Sequence, residues 1–188
     1  IKAAQDAGFR VKVNCVVERG VNECEILPML RHFHGTGVTV RFIEFMDVGN
    51  HNRWKMDRVF SAREILEVIR AEFPIEAVSP RYPGEVAQRF RFKDGSGEVG
   101  VIASVTAPFC QNCSRARLSA DGSLYTCLFA SEGWDLRDLM REGWDDDRLR
   151  NHLRNIWMRR KDRYSEERAG LLTSRKHIHK VEMSYIGG

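Results

Sequence analysis

Residues 109–129 read FCQNCSRARLSADGSLYTCLF. This stretch holds three of the five cysteines, Cys110, Cys113 and Cys127. Arg115 and Arg117 follow the second cysteine at alternate positions, and Asp121-Gly122 supplies a turn. Alternation marks a strand, and Asp-Gly marks the centre of a tight hairpin. Residues 114–119 and 123–128 therefore read as two arms that return Cys127 toward Cys110 and Cys113. Side chains two apart on a strand point the same way, so Arg115 and Arg117 share a face.

Three converged thiols admit several chemistries. A structural zinc site takes four protein ligands, and the nearest histidine, His152, lies far along the chain. Cys24 or a distant histidine could complete such a site. A disulfide would leave one thiol over. A 4Fe–4S cluster is usually held by four thiolates; with three, one iron stays open. An open iron beside two guanidiniums suits an anionic ligand that carries a donor atom. The spacing favours the cluster over a structural zinc knuckle, and either over cysteines with no common role.

The chain has 188 residues and a net charge of +4. That length suits one medium domain or two small ones. The charge is mild, and fits a small anion as well as a nucleic acid. No signal peptide or long apolar run is present. An odd number of cysteines with a C-x2-C favours a reducing cytosol and metal chemistry over a disulfide framework. The chain begins with Ile1, on what reads as the end of a helix entering a strand, so a fragment with its N-terminal part missing is expected.

Residues 1–7 read as a helix remnant stopped by Gly8, and 9–17 as a strand with Lys12 and Asn14 on one face. In a barrel that face points inward, where a lysine is costly unless it meets an anion; a solvated sheet face is the alternative. Asn22 and Glu25 resemble a capping box for a helix carrying Ile26, Leu30 and Phe33, with Pro28 awkward inside it. Residues 39–45 are a second strand, giving the strand–helix–strand order of a parallel unit. The loop at 46–54 follows that strand's C-terminal end, where α/β barrels carry ligands. Met46 could line a pocket there, and His51 reads as exposed.

Ser61 and Glu64 form a capping box for a helix over 61–73 with Ile65, Ile69 and Phe73 at spacing four. Residues 86–92 and 98–103 flank a turn and read as a hairpin, which with the cysteine hairpin predicts a small antiparallel sheet. Arg89 and Arg91 read as its solvated edge. A short helix over 136–140 precedes a longer one over 147–163, with Leu149, Leu153, Ile156 and Trp157 as its stripe. Its basic end, 158–161, reads as a solvated turn. Residues 164–179 read as polar and mobile. Gly187 and Gly188 could thread a space closed to side chains, or form a frayed tail.

Several of these segments meet in one family. Cys110-x2-Cys113-x13-Cys127 with SRARLSADG between, RFIEFMDVGN at 41–50, VKVNCVVERGVN at 11–22 and the terminal Ile186-Gly187-Gly188 together resemble the C-terminal half of the GTP 3′,8-cyclase family. These are radical S-adenosylmethionine enzymes of molybdenum cofactor biosynthesis. The resemblance runs essentially from end to end.

It implies an α/β chain: the last strands and helices of a partial radical S-adenosylmethionine (β/α) barrel at 1–57, then a small α+β region at 58–188 with antiparallel hairpins carrying an auxiliary 4Fe–4S cluster. It implies Cys110, Cys113 and Cys127 as cluster ligands, Arg115 and Arg117 as catalytic and GTP-binding, and Lys12 as GTP-binding. Arg41, Met46 and Asn14 match positions near S-adenosylmethionine. Gly187 and Gly188 would reach the active site. The N-terminal C-x3-C-x2-C loop of the family, which holds the cluster that cleaves S-adenosylmethionine, is absent. In the family a 5′-deoxyadenosyl radical takes hydrogen from C3′ of GTP, and C3′ closes on C8 of the guanine; this half would act by positioning. A cytoplasmic homodimer is implied, with the next enzyme of the pathway as a candidate partner and neither membrane nor nucleic acid. A related radical enzyme with an auxiliary cluster, and a zinc module contacting nucleic acid, are the competing functions; the modest charge and absent basic-aromatic pattern count against the last.

Overall fold

A short helix, α1 (Lys2–Asp6), opens the computed structural model, which describes residues 1–173 and 179–186. Strand β1 (Lys12–Val17) follows, with Lys12, Asn14 and Val16 exposed and Val17 fully buried. This is the alternation that the sequence carries. Helix α2 (Ile26–Phe33) is preceded by a 3₁₀ turn at Glu23–Glu25. The expected Asn22–Glu25 capping box does not form. Asn22 instead folds back on the preceding strand: its Oδ1 accepts from Glu18 N at 2.8 Å and its Nδ2 donates to Val16 O at 2.8 Å. Pro28 falls in the first turn of α2, where a backbone N–H has no helical partner to lose.

Strand β2 (Thr39–Glu44) lies parallel to β1, with Thr39 opposite Lys12 and Arg41 opposite Asn14. Helix α3 (Ala62–Arg70) carries the expected capping box at Ser61 and Glu64. Strands β3 (Ile75–Val78), β4 (Gln88–Phe92) and β5 (Glu98–Ile102) complete a sheet of order β1-β2-β5-β4-β3. β5 runs parallel to β2 and antiparallel to β4. The sheet is therefore open and mixed, with β1 and β3 at its edges, and the strands do not close into a barrel. The 86–103 hairpin belongs to this sheet, not to one with the cysteine hairpin. Its second arm is buried from Val99 to Ile102, as a strand covered on both faces must be.

The core beneath the sheet is formed by Ile26, Leu30, Phe42, Ile65, Ile69, Val99 and Val101. Glu44, at the end of β2, is fully buried among these elements. Its carboxylate accepts from Ala62 N (2.7 Å), Val105 N (2.7 Å) and Thr106 N (2.8 Å), so a buried charge is met by N–H donors at the start of α3 and in the loop after β5.

The chain divides into two compact units: Ile1–Met46 with Trp54–Phe109, and Asp47–Arg53 with Cys110–Gly188. The second unit has a three-stranded antiparallel sheet of β6 (Arg117–Leu118), β7 (Ser123–Tyr125) and β8 (Trp134–Asp135), in that order. β6 and β7 are the expected hairpin, with Arg117 opposite Tyr125. The two exposed residues of β8 offer no alternation to read, and that strand was not expected. Helices α4 (Arg137–Arg141), α5 (Asp146–Met158) and α6 (Tyr164–Thr173) follow. Asp145 caps α5 by accepting from Arg148 N at 2.8 Å. Ile156 is buried, whereas Leu153 and Trp157 remain partly exposed. The polar run after residue 163 is helical through Thr173, because Tyr164 and Arg168, one turn apart, both bind the carboxylate of Asp47. Among the described residues no helix is long and apolar enough to cross a membrane.

Candidate functional site

On the first unit, parallel pairing brings Lys12, Asn14, Thr39 and Arg41 to one sheet face. Arg41 Nε donates to Asn14 Oδ1 at 2.8 Å. The next strand supplies Gly100 opposite Arg41. A Cβ there would sit 3.0 Å from Arg41 Cγ and 3.3 Å from Ala87 Cβ, so the missing side chain is what lets the arginine lie across β5. Lys12, Thr39, Arg41, Arg89, Glu98 and Gly100 line a cleft on this face. Arg89 is no solvated edge residue: its side chain is 12% exposed and pairs with Glu98 at 2.7 Å, whereas Arg91 is open to solvent. Arg81 joins the same carboxylate at 3.0 Å. Among the described residues no carboxylate pairs with Lys12 or Arg41. Met46 is half-buried just past β2.

On the second unit, Cys110 opens a 3₁₀ turn (Cys110–Asn112), and Cys113 N donates to Cys110 O at 3.2 Å. All five cysteines are free thiols. Arg115 Nη2 lies 3.4 Å from Cys113 Sγ. Burial pushes the Cys113 thiol up, but hydrogen bonds from Arg115, with help from Arg160, outweigh it and hold the thiol below its ordinary value. Cys127 is shifted the other way, by burial first and then by the charges of Asp162 and Cys110. The Arg117 guanidinium is half-buried; burial and the like charge of Arg115 both lower its pKa.

Among the described residues no three His, Cys, Asp or Glu side chains are grouped closely enough to hold a metal ion. The expected convergence of the thiols is thus not drawn into a ligand cage. The hairpin pairs at only two positions before the turn, which leaves both cysteine-bearing ends outside the ladder. The donor set nevertheless fits a cluster: three free thiols, one of them held toward thiolate, beside guanidiniums that favour bound anions. Gly187 and Gly188 lie outside the described residues. Cys15 and Cys24 belong to the first unit and form no disulfide.

Arg160 is a residue that sequence reasoning missed. Its side chain is 11% exposed, not part of a solvated turn. Nη1 donates to Cys113 O at 2.5 Å and Nε to Asp162 Oδ2 at 3.1 Å, while the same Asp162 oxygen accepts from Thr126 Oγ1 at 2.6 Å. One arginine–aspartate pair thereby braces Cys113 and the neighbour of Cys127. In sequence, a basic run ending a helix looks the same whether solvated or buried, so nothing local marked it.

The description "Molybdenum Cofactor Synthesis C" belongs to a family model that matches residues 38–166. The chain is 53% identical over its whole length to a GTP 3′,8-cyclase of Xanthomonas axonopodis pv. citri, covering 55% of that protein. It is 52% identical to the GTP 3′,8-cyclase of Xanthomonas campestris pv. campestris (strain B100), covering 54% of it. It is 47% identical to that of Staphylococcus carnosus, covering 56%. The chain spans about half the length of the curated relatives it matches. With the matched model covering most of the chain, from β2 to the start of α6, the protein belongs to the Molybdenum Cofactor Synthesis C family.

Proposed function

We propose that this chain is the substrate-binding half of a GTP 3′,8-cyclase, which converts GTP to 3′,8-cyclo-7,8-dihydro-GTP by radical S-adenosylmethionine chemistry. The observation that carries the reading is the Arg115 guanidinium set against the Cys113 thiol in the second unit. Arg115 lies against Cys113, and Arg117 is half-buried with its charge disfavoured by burial first and then by Arg115. Such a site gains by accepting an anion.

Cys110, Cys113 and Cys127 would hold the auxiliary 4Fe–4S cluster; when bound, it supplies an iron open to a donor atom of the guanine. Arg115 and Arg117 bind and orient the nucleotide. Their planar forks suit phosphate oxygens, and lysine in either place would lose that geometry. On the sheet face, Lys12 offers a point charge to the triphosphate. Arg41, steered by Asn14, and Met46 face S-adenosylmethionine. Gly187 and Gly188 serve the same chemistry at the end of the chain. The residues act by holding reactants in place, which can supply much of a rate enhancement.

Iron, sulfide and zinc analysis after anaerobic reconstitution, with and without GTP, tests this. About four irons per auxiliary site, lost on Cys127→Ser, with a change in the cluster's electron–nuclear couplings on adding GTP, is the expected result. One zinc per chain, no iron uptake and no response to GTP would overturn it in favour of a structural zinc module.

A further inference from the structure

The loop after Met46 reads Asp47-Val48-Gly49-Asn50, and its polar residues have no part in the function just given. Asp47, Arg168 and Lys180 are nonetheless at most 7% exposed. Asp47 Oδ1 accepts from Arg168 Nε at 2.8 Å. Its Oδ2 accepts from Lys180 Nζ at 2.8 Å and from the Tyr164 hydroxyl at 2.5 Å. Lys180 Nζ also donates to Asp47 O at 2.5 Å. One buried carboxylate thus answers two buried cations.

The rest of the loop reads the neighbouring residues of the same C-terminal segment. Asn50 Oδ1 accepts from Lys180 N at 3.0 Å, and Asn50 Nδ2 donates to Lys180 O at 2.6 Å. The Asn50 backbone and side-chain N–H groups both reach Glu182 Oε1 at 2.8 Å. Gly49 sits at φ +61°, and a Cβ there would collide with Glu182 Oε2. That φ favours glycine, and a side chain there would push the Glu182 carboxylate off Asn50. On its other side, Val181 N donates to Ala130 O at 2.8 Å, and Lys180 Nζ lies 5.3 Å from the centroid of Phe129, whose ring stacks on Tyr164 at 4.5 Å. Residues 180–182 are therefore gripped between the 47–50 loop and the residues just past Cys127.

Sliding 180–182 by one residue would carry Lys180 away from Asp47 and leave buried charges unpaired. Burial of mobile polar ends would be served as well by apolar packing. A fixed register is what this arrangement adds. Gly187 lies five positions after Glu182.

We propose that Asp47, with Gly49 and Asn50, is a positioning residue that locks the register of residues 180–182 and so fixes the point from which the chain runs to Gly187-Gly188. Its bearing on catalysis rests on the cyclase reading; the lock itself does not.

Asn50→Ala and Asp47→Asn, made in the complete gene product containing this chain, test it. Asn50→Ala removes contacts without stranding a buried charge, and so guards against a variant that fails to fold. Amide exchange at 179–186 is expected to quicken about tenfold or more in both, with 117–125 and the iron content unchanged. For GTP turnover, kcat is expected to fall about tenfold or more while KM for GTP stays within about twofold, as misplacement of a distant group does. Exchange confined to 179–186 supports the lock even if the wild type fails to convert GTP. Exchange that quickens across the whole second unit, or that does not change in either variant, overturns the lock. Confined exchange with wild-type kcat in an active enzyme overturns the positioning role.

Discussion

Gly100 and Arg160 each act through the space or bonds they give another residue. Gly100→Ala would place a methyl group 3.0 Å from the stem of Arg41. The arginine must shift, and its bond to Asn14 with it. On the proposed cyclase reading, binding of S-adenosylmethionine by the complete gene product is expected to weaken about tenfold, while the melting temperature stays within a few degrees, since no core contact is lost; equal affinity would refute the reading of this glycine. Arg160→Met removes a charge-assisted bond to Cys113 O and strands Asp162 in part, at a cost of roughly 1–3 kcal/mol. Arg160→Lys keeps the charge but loses the fork that serves two acceptors. Iron retained after reconstitution is expected to fall in the order wild type, lysine, methionine, and retention equal to wild type in the methionine variant would refute the bracing role.

Helix α3 shows how a local signal becomes an energetic one. Ser61 and Glu64 exchange hydrogen bonds across the first turn, and Arg19 adds an ion pair to Glu64 at 2.7 Å. The Glu64 carboxyl is held down to about 2, first by the Ser61 hydroxyl and then by Arg19. A depressed carboxyl contributes its stability fully above its ordinary value near 4.5, and loses it as the pH falls toward 2. Ser61→Ala is expected to cost about 1 kcal/mol at neutral pH. Glu64→Gln, which stands in for the protonated acid, is expected to lose at least as much at neutral pH and to lack the acid-side decline. Urea unfolding of wild type and variant between about pH 2 and pH 6 gives the difference curve; a difference that is flat across that window would refute the assignment. The capping box was legible because all its parts lie within four residues. So was the parallel pairing of β1 and β2, from strand–helix–strand order. The insertion of β5 between β2 and β4 was not, because that pairing joins strands more than fifty residues apart, and the local turn signal favoured a separate hairpin sheet. The Asn22 box failed because the side chain found better partners on the strand behind it.

The same division runs through the whole molecule. The cysteine and arginine spacings, and the face shared by Lys12 and Asn14, could be read from the chain. Arg160, Asp162 and Lys180 could not, since buried pairs are made by tertiary contact and leave no period in the sequence. The two units also differ in what fills them. The first has a continuous apolar core from Val17 to Ala103. In the second, Tyr125, Phe129, Ile156 and Ile186 are buried beside Asp47, Ser119, Thr126, Arg168 and Lys180. Polar groups bury less apolar surface per residue, and small regions of that kind commonly draw stability from a bound metal. Ligation of Cys110, Cys113 and Cys127 is therefore expected to stabilise the second unit selectively. A cluster held with a dissociation constant a hundredfold below its working concentration would add about 2.7 kcal/mol, or about a hundredfold in exchange protection where exchange follows global opening of that unit. Amide exchange with and without iron should show this gain in β6, β7 and α5, little change in β1 to β5, and no gain in Cys127→Ser. A gain spread evenly over both units would place the effect of iron elsewhere than at these cysteines.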